Sequence, residues 1–153
     1  MRAGAAAAAM LVVFTVTACS ASEPPDDTAM QNWMTQQSRA SDGGLGSMTA
    51  MASTMEADTA AERDGELEGV RLDFTESLRV AAVEFSCFGS ETMNARLHVM
   101  TGSSHVGLTE EDIRCADSPV TIDLGSIGEQ PATGVSADGY NEHGSGAWSV
   151  TVR

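Results

Sequence analysis

The sequence contains no lysine, so all of its basic side chains are arginines. Against 8 basic residues stand 22 aspartates and glutamates, which gives a formal net charge of -14 at pH 7. An excess of negative charge of this size repels the phosphate groups of nucleic-acid backbones and of anionic lipids. We therefore expect no nucleic-acid partner, and any attachment to a membrane must depend on something other than charge.

The sequence also lacks the common signatures of enzymes. It has no G-x-S-x-G nucleophile elbow, no H-E-x-x-H pair, no P-loop and no glycine-rich dinucleotide fingerprint. Acidic residues are so frequent that a pair such as Glu110 and Glu142 does not indicate a glycosidase. We predict a protein without enzymatic activity and without a cofactor.

No hydrophobic run is long enough for a confident transmembrane helix. The charge-free apolar stretch from Ala3 to Ala18 follows Arg2 and is shorter than the roughly 20 residues that such a helix needs. Its length and position are typical of the core of a signal peptide. It ends in Val16-Thr17-Ala18-Cys19, which resembles the bacterial lipobox of an aliphatic residue, a small residue, Gly or Ala, and cysteine.

The lipobox resemblance implies that the chain is cut before Cys19 and that the thiol of Cys19 is acylated. We therefore predict a signal peptide at residues 1–18 and an extracytoplasmic protein that is held to the cell membrane by its N-terminal lipid. Several acyl chains give stable attachment at about 0.8 kcal/mol per buried methylene, which a negatively charged chain tolerates. An ordinary secretory signal followed by a chance cysteine is the alternative.

Residues 19–69 are predicted to form a lipid-anchored acidic linker with short helical segments. A helix is expected over Ala29–Arg39, capped by Thr28, and its stripe comprises Met30, Trp33, Met34 and Gln37. The spacing i, i+3, i+4, i+7 predicts a second helix through Met48, Met51, Ala52 and Met55. Glu56–Glu68 holds six acids against Arg63 alone, which is typical of a solvated linker. Partial disorder of residues 28–62 is the alternative.

From Val70 onward the hydrophobic pattern changes from helical to alternating, which predicts six or seven short strands. The residues expected on the inner faces of these strands are Val70, Leu72, Phe74, Ala81, Val83, Phe85, Cys87, Met93, Ala95, Leu97, Val99, Val120, Ile122, Leu124, Val135, Ala137, Trp148, Val150 and Val152. Without long intervening helices, two packed antiparallel sheets are the natural solution. We predict that residues 70–153 form a small antiparallel β-sandwich domain, jelly-roll or immunoglobulin-like, that folds without the residues before it.

Two cysteines remain for a disulfide if Cys19 carries the lipid. Cys87 and Cys115 lie beside hydrophobic strand positions, and a small exported domain gains from a cross-link. Closing the loop between them is expected to stabilise the fold by roughly 3 to 4 kcal/mol on the chain-entropy account. We predict a Cys87–Cys115 disulfide.

The C-terminal unit resembles small uncharacterised actinobacterial lipoproteins. The resemblance covers Val70–Arg153 and rests on Phe85-Ser86-Cys87-Phe88-Gly89, on Ile113-Arg114-Cys115, and on the terminal Gly-Ser-Gly-Ala-Trp-Ser-Val-Thr-Val. It implies a sandwich domain with a linking disulfide after a variable acidic N-terminal segment. It implies no activity and no catalytic residue.

Methionine is the first candidate for metal binding, because thioethers suit Cu(I). Met48, Met51 and Met55 share the stripe of the predicted second helix, and the three histidines, His98, His105 and His143, would add nitrogen ligands. Methionine at helical spacing is more often a packing surface, because it fills irregular gaps. We predict packing, with a copper-binding envelope protein as an alternative function.

Calcium is a second candidate, because Asp138, Asn141 and Glu142 lie close together in the chain. Their spacing lacks the regular alternation of an EF-hand loop, so a solvated turn is the preferred interpretation.

Aromatic residues are scarce, which limits carbohydrate recognition. Tyr140 and Trp33 are the two candidates for exposed rings, while Trp148 falls in the inward register of the last strand. A carbohydrate-binding module-like domain is therefore kept as an alternative. The preferred hypothesis is a non-enzymatic envelope lipoprotein whose sandwich has a binding or structural role, with an unknown envelope protein or glycan as partner. The Met30–Met55 stripe would dock on the sandwich or on that partner.

Overall fold

The computed structural model describes residues 26–40, 43–55 and 69–153. The leader, Cys19 and the acidic stretch Glu56–Glu68 lie outside the described residues, so the predictions made for them stay predictions. The elements in chain order are α1 (Asp27–Ala40), β1 (Gly46–Met51), β2 (Ser53–Thr54), β3 (Val70–Leu78), β4 (Ala82–Phe88), β5 (Thr92–Thr101), β6 (Ser104–Arg114), a 3-10 turn (Cys115–Asp117), β7 (Val120–Asp123), α2 (Gly125–Gly128), β8 (Ala132–Asn141) and β9 (Ala147–Val152).

The strands form two sheets, as predicted for a β-sandwich. The four-stranded sheet has the order β1-β9-β4-β7, and all of its pairs are antiparallel. In the five-stranded sheet, β8 pairs with β5, which pairs with β6, while β2 and β3 both pair with the other side of β8. Among the described strands, only the short β2 runs parallel to its neighbour. Most consecutive strands lie in opposite sheets, an arrangement that matches a jelly roll.

The inward-facing residues that the alternation predicts form the core between the sheets. On the four-stranded sheet, Phe85 and Trp148 are fully buried and their rings stack with centroids 6.5 Å apart. On the five-stranded sheet, Leu97 and Val135 are buried at 1% exposure or less. A period of two therefore identified β4, β5 and β9 correctly, because each has one face on the core.

The predicted second helix is wrong, because Gly46–Met51 and Ser53–Thr54 form the strands β1 and β2. All six residues of β1 pair with β9, so Met48 lies opposite Val150 and points into the core, where it is 5% exposed. Met51 lies on the other face of the strand and is 49% exposed. A helical stripe would have put both methionines on one side. Pairing with a distant strand overrides this local pattern.

The first strand of the sandwich therefore begins at Gly46, well before the predicted boundary at Val70. Both β1 and β2 belong to the sheets, and Met48 and Ala52 belong to the core. A unit that begins at Val70 lacks the edge strand beside β9. The expectation that residues 70–153 fold by themselves is therefore revised.

The predicted first helix is confirmed as α1, with a different cap. The backbone N–H of Thr28 donates to Asp26 Oδ1 at 3.1 Å, so Asp26 fills the capping role that was expected of Thr28. The helix lies against β1 and β9, on the outer face of the four-stranded sheet. Met30 is buried there at 7% exposure, and Trp33 stacks on Phe88 with ring centroids 5.7 Å apart. The apolar stripe of this helix thus docks on the sandwich of its own chain.

Strand β6 is an element that the alternation did not predict. Nearly all of its residues are exposed, and among the described strands it pairs with β5 alone. An edge strand with solvent on both faces shows no clean period of two, so its sequence carries little signal.

In the part of the chain that the structure describes, no helix is long and apolar enough to cross a bilayer.

Candidate functional site

The predicted disulfide is confirmed between Cys87 and Cys115. The two Cα atoms are 4.9 Å apart, and the bond joins the end of β4 to the 3-10 turn that follows β6. Because β4 and β6 belong to different sheets, the bond ties the two layers together at one end. The backbone N–H of Cys87 also donates to Ser118 Oγ at 3.1 Å, which holds the segment before β7 against β4.

The outer face of the five-stranded sheet carries a second layer of polar side chains. Antiparallel pairing places Asn94 opposite Tyr140, Arg96 opposite Asp138, and His98 opposite Ser136, and paired residues share a face. We call these six side chains the polar face. The alternating pattern assigns this face of β5 to solvent. Of the six side chains, Asp138 was considered for calcium, Tyr140 for sugar binding and His98 for copper.

Four members of the polar face are nearly buried. Ser136 is 1% exposed, Asp138 5%, Tyr140 6% and Arg96 9%. Charged side chains are rarely buried to this extent unless they have partners. The Arg96 guanidinium carbon lies 5.2 Å from the centroid of the Tyr140 ring, which is cation–π geometry. Ser53 Oγ donates to Asp138 Oδ2 at 2.7 Å. Their low exposure leaves little of these four side chains for a ligand to contact.

Strand β2 explains how Ser53 reaches that carboxylate. Its two residues pair in parallel with Tyr140 and Asn141 at the end of β8. This short pairing brings a hydroxyl from the segment after β1 onto the five-stranded sheet. The residues just after β1 thus belong to the five-stranded sheet, although β1 itself belongs to the four-stranded sheet.

His98, a member of the polar face, forms a pair with a histidine on β6. His98 on β5 and His105 on β6 have ring centroids 5.5 Å apart and an interplanar angle of 73°. The His98 ring occupies the space over Gly107, where an added Cβ would lie 3.1 Å from both its Cε1 and its Nδ1. His105 is exposed. The third histidine, His143, lies on the loop between β8 and β9.

The methionines considered for copper do not share a face. Met48 is in the core, while Met51 and Met55 are exposed at 49% and 40%. Among the residues the structure describes, no group of three or more His, Cys, Asp or Glu side chains is placed to hold a metal ion.

Asp138 and Asn141, which were considered for calcium, form hydrogen bonds within the protein. The Asn141 amide organises its own loop: Oδ1 accepts the backbone N–H groups of His143 at 3.0 Å and Ser145 at 3.2 Å. Asp138 points to the polar face, and Glu142 is exposed on the loop. This arrangement is the turn that the sequence favoured.

The aromatic rings considered for sugar binding make contacts within the protein. Trp33 stacks on Phe88, Tyr140 lies under Arg96, and Trp148 is fully buried. The large hydrophobic side chains exposed within the described ranges are Leu45, Met51, Met55 and Val106, none of them aromatic. No flat ring is available among these residues to stack on a sugar.

No protein-family model, curated protein or solved structure matches the chain. The described residues form a cross-linked sandwich with a nearly buried polar layer, an edge-to-face histidine pair and a long exposed edge strand.

Proposed function

We propose that this chain is an exported envelope lipoprotein, anchored through a lipid on Cys19, that binds a protein partner and carries out no catalysis. The observation that carries the proposal is the disulfide between Cys87 and Cys115. Disulfides persist outside the reducing cytosol. The chain has 3 cysteines, so this bond leaves Cys19, at the end of the lipobox-like run, for acylation.

A protein is favoured over a glycan as the partner, because the candidate aromatic rings make contacts within the protein. Sugar-binding surfaces commonly use exposed aromatic side chains, whereas Trp33 and Tyr140 are engaged inside this protein. The -14 charge of the chain also disfavours acidic polymers.

The proposed contact surface is the first half of β6, Ser104–Thr109. An edge strand presents unpaired backbone N–H and C=O groups to a strand of another chain. This half carries no Asp or Glu, and Val106 is 39% exposed. The second half carries Glu110, Glu111 and Asp112, and its pairing with β5 is irregular between Met93 and Ala95. Such charges and irregularities normally protect an edge from pairing.

The other sheet edges are less suited to this role. Strand β7 has only four residues, and the exposed residues of β3 include Arg71, Asp73 and Glu76. Strand β1 contacts both helix α1 and strand β3. Among the described strands, this leaves β6 as the long edge with an exposed part that carries no charge.

The test of the anchor uses bacteria that express the full chain with a fatty-acid label. Cys19→Ser is expected to abolish labelling and to release the protein from the membrane fraction. Ser22→Ala, a change of similar size in the same segment, should leave both unchanged. Membrane retention of an unlabelled Cys19→Ser protein would count against the lipid anchor.

The test of the contact surface places a photo-cross-linking amino acid at Val106 and, as control, at Glu76 on β3. A discrete protein adduct is expected from position 106 in intact cells and none from position 76. This adduct should disappear in Gly107→Pro, because proline has no backbone N–H to donate and its ring obstructs pairing with another strand. Equal adducts from both positions would contradict the assignment to β6.

A further inference from the structure

Resting on the contact surface proposed above, we infer that the protein partner of β6 is a second copy of this chain. The two copies pair through Ser104–Glu110 in antiparallel orientation, about a two-fold axis at Gly107. A two-fold axis brings the same surface of both copies together, so the strand must be complementary to itself. The backbone groups, the exposed apolar side chains and the acids of β6 meet this condition.

The outward backbone groups of β6 occur at every second residue. Thr101 and Ser104 face each other across the two-residue turn between β5 and β6. The pair that closes such a turn is hydrogen-bonded, and bonded and non-bonded pairs alternate from there along an antiparallel ladder. The N–H and C=O groups of His105, Gly107 and Thr109 therefore point away from β5. With the axis at Gly107, this glycine lies opposite its own copy and His105 lies opposite Thr109, so these outward groups pair with each other.

The exposed apolar side chains of β6 lie on the core side of the five-stranded sheet. Val106 pairs with Val99 and Leu108 pairs with Leu97, and both partners on β5 are buried in the core. Because directly opposed residues share a face, the hydrophobic layer continues onto β6, where Val106 is 39% exposed. With the axis at Gly107, Val106 of each copy lies opposite Leu108 of the other. The two copies thus cover each other's exposed apolar edge.

The acids of β6 favour this register over its neighbours. With the axis at Gly107, Glu110 of each copy lies opposite Ser104 of the other, and the acids after it lie beyond the paired segment. Moving the axis by one residue to Leu108 would put Val106 opposite Glu110. Moving it further towards the acids would set like charges opposite each other, which destabilises a sheet. The register that pairs apolar with apolar side chains is therefore also the one that keeps the acids apart.

The proposed lipid anchor brings the two copies together. A contact of one strand from each copy is smaller than the roughly 800 Å² per partner of a standard interface. Two chains with a net charge of -14 also repel each other. Attachment to the same membrane raises the effective concentration of one copy around another, and salt screens the repulsion. We therefore expect the pair to form on the membrane and to become more stable as salt is added.

The first experiment identifies the partner in intact bacteria that express two differently tagged copies of the full chain. One copy carries a photo-cross-linking amino acid at Val106. The expected adduct contains both tags and has twice the mass of the chain. An adduct with a different protein would overturn the pairing of two copies and leave β6 as the contact surface. The absence of any adduct would overturn both proposals.

The second experiment tests the register in isolated membranes under mild oxidation. One tagged copy carries Val106→Cys and the other Leu108→Cys. At least about fivefold more mixed disulfide than either like disulfide is expected, because opposed Cα atoms of a non-hydrogen-bonded pair are about 4.5 Å apart, within disulfide range. Thr109→Cys in place of Leu108→Cys is the matched control and should give no excess, since Thr109 lies on the other face of the strand.

Added salt should increase the yield of the mixed disulfide, because it screens the repulsion between two acidic chains. A basic partner strand would be lost under the same conditions. Equal amounts of mixed and like disulfides, or a yield that falls as salt is added, would overturn the pairing of two copies about Gly107.

Discussion

The indole ring of Trp148 lies against the backbone of Gly139, at a position where β8 carries no side chain. An added Cβ at Gly139 would come within 2.5 Å of Trp148 Cγ and 2.9 Å of its Cβ. Trp148 belongs to the four-stranded sheet and Gly139 to the five-stranded one. The largest buried side chain of the core thus fits because the facing strand has a glycine there.

We therefore expect Gly139→Ala to destabilise the protein by about 1 to 3 kcal/mol, because the methyl group forces a rigid, fully buried ring to move. Urea unfolding followed by tryptophan fluorescence measures the change. Gly107→Ala is the control: its new methyl would meet the His98 ring at 3.1 Å, on a partly exposed face where the ring can turn. A loss in Gly139→Ala no larger than in this control would contradict the argument.

The disulfide gives a second prediction. Reduction of the Cys87–Cys115 bond is expected to lower the free energy of unfolding by roughly 3 to 4 kcal/mol, because the bond restricts the unfolded chain. Parallel urea titrations of oxidised and reduced protein, both with Cys19→Ser, isolate this bond. The double variant Cys87→Ala, Cys115→Ala should match the reduced protein. Coincident midpoints with and without reductant would show that the cross-link adds nothing.

The position of β1 gives a third prediction. A fragment of residues 69–153 is expected to lose cooperative unfolding, because it lacks Met48 in the core and the strand that pairs with β9 along six residues. A fragment of residues 43–153 removes α1 and keeps β1, so it should still unfold cooperatively at lower stability. Calorimetry of both against the full chain checks this order. A cooperative transition in the shorter fragment would restore the boundary at Val70.

The sequence predicted those strands in which inward-facing hydrophobic residues alternate with polar ones. In β9, Trp148 and Val150 alternate with polar residues, and the structure buries both. Edge strands escaped this reasoning for two different reasons. Met48 and Met51 have a helical spacing that only pairing with β9 overrides, while β6 is exposed on both faces and has no period at all.

The candidate sites depend on strand register, which a single sequence does not reveal. Cys87 and Cys115 were predictable, because cysteine chemistry limits the choices. The closeness of His98 and His105 follows from the turn between β5 and β6, and it needs the gap at Gly107. The burial of Arg96 was unpredictable, because alternation alone assigns it to the solvent side of β5.

The last prediction concerns Arg96, whose guanidinium lies over the Tyr140 ring at 9% exposure. We expect Arg96→Lys to destabilise the protein by about 2 kcal/mol, because a desolvated cation–π contact is worth about that much and an ammonium cannot reproduce the stacked plane. Urea unfolding measures the change. Arg114→Lys is the matched control, since Arg114 bonds to Asp117 with its side chain 69% exposed, and such surface pairs contribute about 0 to 1 kcal/mol. The same substitution is also measured in a Tyr140→Leu variant. There Arg96→Lys should destabilise the protein less, because the aromatic ring is absent. Equal losses in both backgrounds would show that the contact with Tyr140 does not account for the stability that Arg96 contributes.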